Sequence, residues 1–72
     1  MKQQLQHAIV ESIQQDRNVP VEYVGTIEDC ISDLEEVSDG VEDYVPENDG
    51  SYDVWGETVW GDHWRLTVRC AE

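Results

Sequence analysis

The chain has no phenylalanine, only two prolines, two cysteines and one methionine in its 72 residues. Its most informative absence is of positive charge. No lysine or arginine occurs between Asn18 and Trp64, a stretch that holds fourteen of the seventeen aspartates and glutamates. The formal net charge is −13. If that charge lies on a folded surface, the surface repels nucleic acid and attracts proteins that bind nucleic acid. The four basic residues lie near the two ends of the chain: Lys2, Arg17, Arg65 and Arg69.

Long apolar runs are also missing. No segment approaches the roughly 18 apolar residues of a membrane-spanning helix. The first fifteen residues, MKQQLQHAIVESIQQ, contain no apolar stretch typical of a signal peptide. We therefore expect a cytoplasmic protein with reduced thiols and no membrane partner. The even cysteine count leaves a Cys30–Cys70 disulfide open as an alternative.

The length predicts one small domain over residues 1–72 with a limited core. A hydrophobic content of 39% is higher than in disordered acidic tails. A net charge of magnitude about 2–8 suffices to keep a small domain in solution. The excess charge therefore suggests a role in partner recognition, with adaptation to high salt as another explanation. A core this small is compatible with a monomer or a homodimer.

Two helices are predicted. A helix over residues 3–16 is indicated by one face at helical spacing, made of Leu5, Ala8, Ile9, Ser12 and Ile13. Asn18 and Pro20 end it. Thr26 begins a Thr-Ile-Glu-Asp start signal and is the predicted N-cap of the second helix. That helix is expected to end at Asp39-Gly40. Its predicted buried stripe comprises Ile27, Cys30, Ile31, Leu34 and Val37.

The C-terminal third predicts a hairpin. Residues 51–58 and 64–70 alternate in polarity as strands do, and Gly61-Asp62 lies between them. Pairing would bring Arg65 and Arg69 close to Asp53 and Glu57. A third strand is expected from residues 19–24 or 41–45. The predicted fold is thus α+β, with two helices packed on a small antiparallel sheet of two or three strands.

The second predicted helix carries two rows of carboxylates beside its apolar stripe. Four residues of helix rise by about 6 Å, and phosphates of one DNA strand advance by about 3.4 Å. Such a row can occupy a protein groove lined with lysine and arginine. The ordinary explanation is a solvated helix face, but such faces generally mix charges of both signs. The predicted phosphate substitutes are Glu28, Asp29, Asp33, Glu35, Glu36, Asp39, Glu42 and Asp43.

Three tryptophans lie within ten residues of each other. Trp64 is expected in the core in place of phenylalanine. Trp55 and Trp60 are expected to be more exposed, and an exposed tryptophan is a typical anchor in protein interfaces. Binding of single-stranded nucleic acid would need a basic groove beside the aromatic residues, and the sequence provides none.

The sequence gives little support for a metal site or a catalytic site. Placing Gly50 at the sixth position of an EF-hand loop puts Val45 first and Gly56 last. Placing Gly40 there puts Val37 third and Pro46 last, so both registers fail. The cysteines and histidines lack the paired spacing of a zinc site. No catalytic motif is present, and the surrounding acids favour protonated, unreactive thiols. We therefore expect no enzymatic activity, no cofactor and no metal.

In size, charge and build, residues 22–62 resemble the small acidic inhibitors of phages and mobile elements, which include DNA-mimic anti-restriction proteins and some anti-CRISPR proteins. This resemblance implies a protein that occupies the nucleic-acid channel of a host nuclease complex and blocks target binding. The alternative is a small acidic interaction module, such as an antitoxin or a regulatory subunit, that docks through its apolar or tryptophan-bearing surface.

Overall fold

The computed structural model describes residues 2–38 and 40–71. It contains two helices and four strands, so the predicted α+β class and the C-terminal hairpin are confirmed. Asp39 lies outside the described residues. None of the helices in the described part of the chain has the length and apolar character needed to cross a bilayer. The elements are α1 (Lys2–Gln15), β1 (Asn18–Val24), α2 (Ile27–Val37), β2 (Val41–Pro46), β3 (Tyr52–Glu57) and β4 (His63–Ala71).

The strands form one mixed sheet in the order β1-β4-β3-β2. Strand β1 runs parallel to β4, and the other two pairs are antiparallel. The predicted antiparallel sheet of two or three strands is therefore wrong, because both candidate segments form strands. Parallel neighbours need a long crossover rather than a tight turn. Here α2, β2 and β3 separate β1 from β4 in the chain, and β1 joins the edge of β4 that the hairpin leaves free.

The helix ends follow local chemistry. The hydroxyl of Ser12 donates a hydrogen bond of 2.7 Å to the carbonyl of Arg17, just after α1 ends. The Thr26 hydroxyl accepts a 3.1 Å hydrogen bond from the backbone N–H of Asp29, which confirms the predicted N-cap of α2. Helix α2 ends at Val37, earlier than the sequence indicated, because the backbone of Ser38 is extended (φ −150°, ψ 124°). The N–H of Ser38 makes the last helical hydrogen bond, to the Leu34 carbonyl.

The core lies between the helices and one face of the sheet. Alternate residues of β1 and β4 face it, and Trp64 is only 1% exposed, as expected. The indole Nε1 of Trp64 is buried and has no hydrogen-bond partner among the described residues. The buried apolar residues are Leu5, Ala8, Ile9, Val19, Val21, Tyr23, Ile27, Cys30, Leu34, Val54, Trp64, Leu66 and Val68.

The opposite face of the sheet is not covered by either helix. The β3–β4 register pairs Trp55 with Arg65, Asp53 with Thr67 and Glu57 with His63. Arg69 instead forms a 3.3 Å ion pair with Asp49. The register places Arg65 diagonally across from both Asp53 and Glu57, and Arg69 diagonally across from Asp53, so the expected proximity holds except between Arg69 and Glu57. Neither arginine forms an ion pair with these two acids among residues 2–38 and 40–71. The loop over residues 58–62 is longer than a two-residue turn, and loop length sets the register of a hairpin.

Candidate functional site

The solvent-facing side of α2 is almost entirely acidic. Its exposed residues are Glu28, Asp29, Ser32, Glu35 and Glu36. The core-facing residues Ile27, Cys30 and Leu34 lie on the opposite side, as a period of 3.6 residues per turn requires. Four of the five exposed residues are therefore carboxylates. We call Glu28, Asp29, Glu35 and Glu36 the acidic face of α2.

The carboxylates of α2 are not equivalent. Glu36 forms an ion pair with Lys2, which raises the pKa of that lysine through a hydrogen bond and its charge. Asp33 is half-buried and accepts a 2.7 Å hydrogen bond from the hydroxyl of Tyr23. Glu28, Asp29 and Glu35 have no ion-pair partner among residues 2–38 and 40–71. The negative charge of these three carboxylates is therefore the most available to a partner.

Glu42 and Asp43 lie on β2, the edge strand that follows α2 and packs against it. Both are exposed, and the pairing shifts register between Val41 and Asp43. Asp43 pairs with Trp55 and shares its face, the one turned away from the helices. The carboxylates predicted as phosphate substitutes therefore do not form one surface. Asp43 and the acidic face of α2 lie on opposite sides of the sheet. Acidic residues on an edge strand also discourage pairing with other chains.

A second acidic group surrounds the β2–β3 turn, where sequence reasoning places Glu47 and Asp49 only as an extension of the acidic row of α2. Asp49 accepts hydrogen bonds from the backbone N–H and the hydroxyl of Ser51, at 3.0 and 2.6 Å. These bonds, with the charge of Arg69, lower the pKa of Asp49. A hydrogen bond to Asp53 and its negative charge raise the pKa of Glu47. The carboxylates of this turn are thus largely engaged with one another and with Arg69.

The two predicted anchors differ sharply in exposure. Trp55 is half-buried on the uncovered sheet face, in register with Arg65 on one side and Asp43 on the other. Trp60 is 85% exposed in the β3–β4 loop. The Thr58 hydroxyl accepts hydrogen bonds from the backbone N–H groups of Trp60 and Asp62, at 3.3 and 3.2 Å. Since Thr58 also bonds Asp62 and Gly61 through its backbone, the loop presents Trp60 on a hydrogen-bonded turn.

An apolar groove of about 440 Å³ separates α1 from this loop. Sequence reasoning missed it. The only signals were Val10, which interrupts the polar side of α1, and Val59, which stands beside Trp60 in a loop. Both valines are exposed. The apolar residues that line the groove are Ile9, Val10, Ile13, Val37, Val59 and Trp60.

The two cysteines are poorly suited to nucleophilic chemistry. Both cysteines are free thiols, and burial raises the pKa of the Cys30 thiol to about 12 and also raises that of Cys70. A raised pKa keeps a thiol protonated and a poor nucleophile. In the described part of the chain, no three His, Cys, Asp or Glu residues are grouped so as to hold a metal ion. The features that suit recognition are the acidic face of α2, the groove and Trp60.

Comparison of the chain with protein-family models, with curated proteins and with solved structures found no match. Function is therefore inferred from the geometry and charge of this chain's own residues.

Proposed function

We propose that the chain is a stoichiometric inhibitor that imitates nucleic acid. In this proposal the acidic face of α2 occupies the basic nucleic-acid-binding groove of a host defence complex, of the kind that anti-CRISPR and anti-restriction proteins block. The observation that carries the proposal is the solvent-facing side of α2, where four of five exposed residues are carboxylates and none is a cation.

The spacing of these carboxylates suits the proposal. From Glu28 to Glu36 the helix rises by about 12 Å, and this length displays four carboxylates. One strand of duplex DNA carries between three and four phosphates along about 12 Å of its axis. Lys2 compensates the charge of Glu36, so three uncompensated carboxylates occupy this length, and the linear charge density of the helix face is slightly below that of a polynucleotide strand. A groove that binds phosphates with lysine and arginine would find comparable charge here.

The scaffold also holds these charges in place. Thr26 caps the first turn of α2, Leu34 and Cys30 are buried beneath it, and Asp33 is tied to Tyr23. A preorganised surface loses less conformational freedom on binding than a flexible acidic tail. Charge complementarity of this kind speeds association and makes affinity fall as salt rises.

The test uses a matched pair of variants. Glu28→Gln with Glu35→Gln removes two charges from the acidic face of α2, while Asp16→Asn with Glu22→Gln removes two exposed charges elsewhere. Asn is suitable at position 16, where the backbone φ is 49°, because Asn tolerates the left-handed region. Each variant is immobilised and exposed to host lysate at low salt, and bound proteins are eluted first with duplex DNA and then with a salt gradient.

We expect the wild-type chain and the position 16/22 variant to retain a nucleic-acid-processing complex that duplex DNA displaces. The position 28/35 variant should release it at clearly lower salt. The proposal fails if the retained protein does not bind nucleic acid, if DNA does not displace it, or if both variants elute together.

A second candidate is the ordinary interaction module, and the exposure of Trp60 beside an apolar groove favours it. In that case the Trp60→Ala variant loses its partner, while the position 28/35 variant keeps it with unchanged salt dependence.

A further inference from the structure

We infer that the groove between α1 and the β3–β4 loop binds apolar side chains of a basic amphipathic helix in the partner. This inference rests on the proposed function, because it assigns a second contact to the same partner. The acidic face of α2 would take the lysines and arginines of that helix, and the groove would take the apolar residues beside them.

The groove is built for apolar contact. Six apolar side chains line it, and its volume of about 440 Å³ is within the range of ordinary binding pockets. Trp60 is 85% exposed and Val59 is 70% exposed on one wall. Val10 on α1 forms part of the facing wall and is also exposed. Large apolar side chains gathered beside a groove mark an interaction surface more often than isolated ones do.

Charge identifies the occupant as basic. Val37 and Ser38 line the groove, while Glu35 and Glu36 project from the same last turn of α2. The groove therefore opens near the C-terminal end of the acidic face of α2, with Glu36 about 100° around the helix from Val37. Asp62 is the one charged residue among the described lining residues. A segment that fills the groove thus meets negative charge at its borders.

A second copy of the chain suits the groove poorly. Each copy carries a net charge of −13, so association of two copies brings like charges together. An amphipathic helix with apolar residues at i, i+3, i+4 and i+7 and cations on its flanks satisfies both surfaces at once.

The test is a titration followed by NMR, in which the indole N–H signal of Trp60 reports on the groove. The probe is a synthetic amphipathic peptide of leucine and lysine with about five helical turns. The control peptide has the same composition, with its leucines scattered around the helix. We expect both peptides to perturb the acidic face of α2 at low salt, and only the amphipathic peptide to shift Trp60, Val10 and Ile13.

Two exposed valines provide a matched pair of variants, because Val59 and Val24 are each 70% exposed. Val59→Ser lies in the groove wall and Val24→Ser at the end of β1, so both should leave the fold intact. We expect Trp60→Ala to weaken binding of the amphipathic peptide by about tenfold or more and Val59→Ser to weaken it by a smaller factor. Val24→Ser should have no effect, and binding of the scattered peptide should be unchanged in every variant.

Three outcomes overturn the inference and differ in what they say of the proposed function. Equal binding of both peptides without a shift of Trp60 refutes the groove and leaves the acidic face of α2 intact. Failure of both peptides to bind at low salt removes the proposed function as well. A Trp60 shift that depends on protein concentration without peptide identifies a second copy as the occupant.

Discussion

The hydroxyl of Tyr23 donates a 2.7 Å hydrogen bond to Oδ2 of Asp33. Tyr23 is a buried residue of β1, and Asp33 lies at the border between the core and the solvent-facing side of α2. This bond raises the pKa of Tyr23, because ionisation would break it and place a phenolate beside a carboxylate. Asp33 thus fixes α2 to the sheet and is less available to a partner than its neighbours.

The Tyr23→Phe variant tests this structural role. Loss of the bond should lower the free energy of unfolding by about 1.5–3 kcal/mol, the usual range for a hydrogen bond to a charged group. Urea denaturation monitored by tryptophan fluorescence measures the change. Tyr52→Phe is the control, since Tyr52 is half-buried against Tyr44 and its hydroxyl makes no hydrogen bond within residues 2–38 and 40–71. Equal destabilisation of the two variants would contradict the assignment.

Ser12 links three parts of the chain through one buried hydroxyl. It donates to the carbonyl of Arg17 at 2.7 Å and accepts from the backbone N–H of Arg65 at 2.9 Å. Its side chain is 2% exposed. Ser12→Ala removes the part-buried hydrogen-bond partner of the Arg65 N–H and of the Arg17 carbonyl, and should lower the free energy of unfolding by about 1–3 kcal/mol.

Chemical denaturation of Ser12→Ala and of Ser32→Ala checks that expectation. Ser32 is exposed on α2, and alanine is the better helix former, so Ser32→Ala should be neutral or slightly stabilising. If Ser12→Ala matches Ser32→Ala in stability, the hydroxyl of Ser12 has no such linking role.

The role of Ser12 shows where sequence reasoning stops. Helical spacing places position 12 on the apolar side of α1, which is correct. Its bond to Arg65 spans 53 residues, and no local pattern reveals such a pairing. The elements that depend on nearby residues were predictable, including the Thr26 cap and the C-terminal hairpin. The parallel pairing of β1 with β4 was not, because it joins residues 18–24 to residues 65–71 across the intervening α2, β2 and β3.

The candidate site likewise has features that the sequence predicts and features that depend on distant residues. The rows of carboxylates on α2 follow from its period alone, so the sequence sufficed to predict them. The engagement of Asp33 by Tyr23 and of Glu36 by Lys2 depends on tertiary contacts. The groove likewise forms only when α1 meets the β3–β4 loop. Experiments on charge should therefore target Glu28 and Glu35 rather than Asp33 and Glu36.

Repulsion between Glu47 and Asp53 predicts a pH-dependent gain in stability for Glu47→Gln. The hydrogen bond to Asp53 and its charge raise the pKa of Glu47 in the folded state. Protonation of Glu47 therefore favours the folded state. The contribution of this protonation to stability is fully present below the pKa of a glutamate in the unfolded chain. It is lost as the pH rises through the pKa of Glu47 in the folded chain. Glu47→Gln should therefore raise the melting temperature at pH 7, and the difference from wild type should shrink as the pH falls below about 4.

Glu42→Gln serves as the control for that measurement. Glu42 is exposed on β2, and the substitution changes the net charge by the same amount. Thermal melts at pH 7 and at acidic pH should show a larger gain for Glu47→Gln than for Glu42→Gln. Identical gains would mean that only the net charge matters, and that the contact with Asp53 does not.

Salt should stabilise the wild-type chain. At about 0.01 M ionic strength the screening length is about 30 Å, which is comparable with the 33 Å longest dimension of the molecule. The carboxylates then repel one another across the whole fold, because the chain carries a net charge of −13. At 1 M salt the screening length falls to about 3 Å, and the repulsion is confined to close neighbours. The melting temperature should therefore rise steeply at low sodium chloride concentration and level off well below 1 M.

The shape of that curve separates screening from adaptation to high salt. Screening predicts a folded chain at low ionic strength, with most of the gain complete once the screening length is shorter than the separation of neighbouring carboxylates. A chain adapted to high salt would instead be unfolded at low ionic strength and fold only near molar salt. Differential scanning calorimetry from about 0.01 to 2 M sodium chloride, repeated with potassium chloride, distinguishes the two. A melting temperature independent of salt would contradict both, and would mean that the carboxylates are too far apart to act on one another.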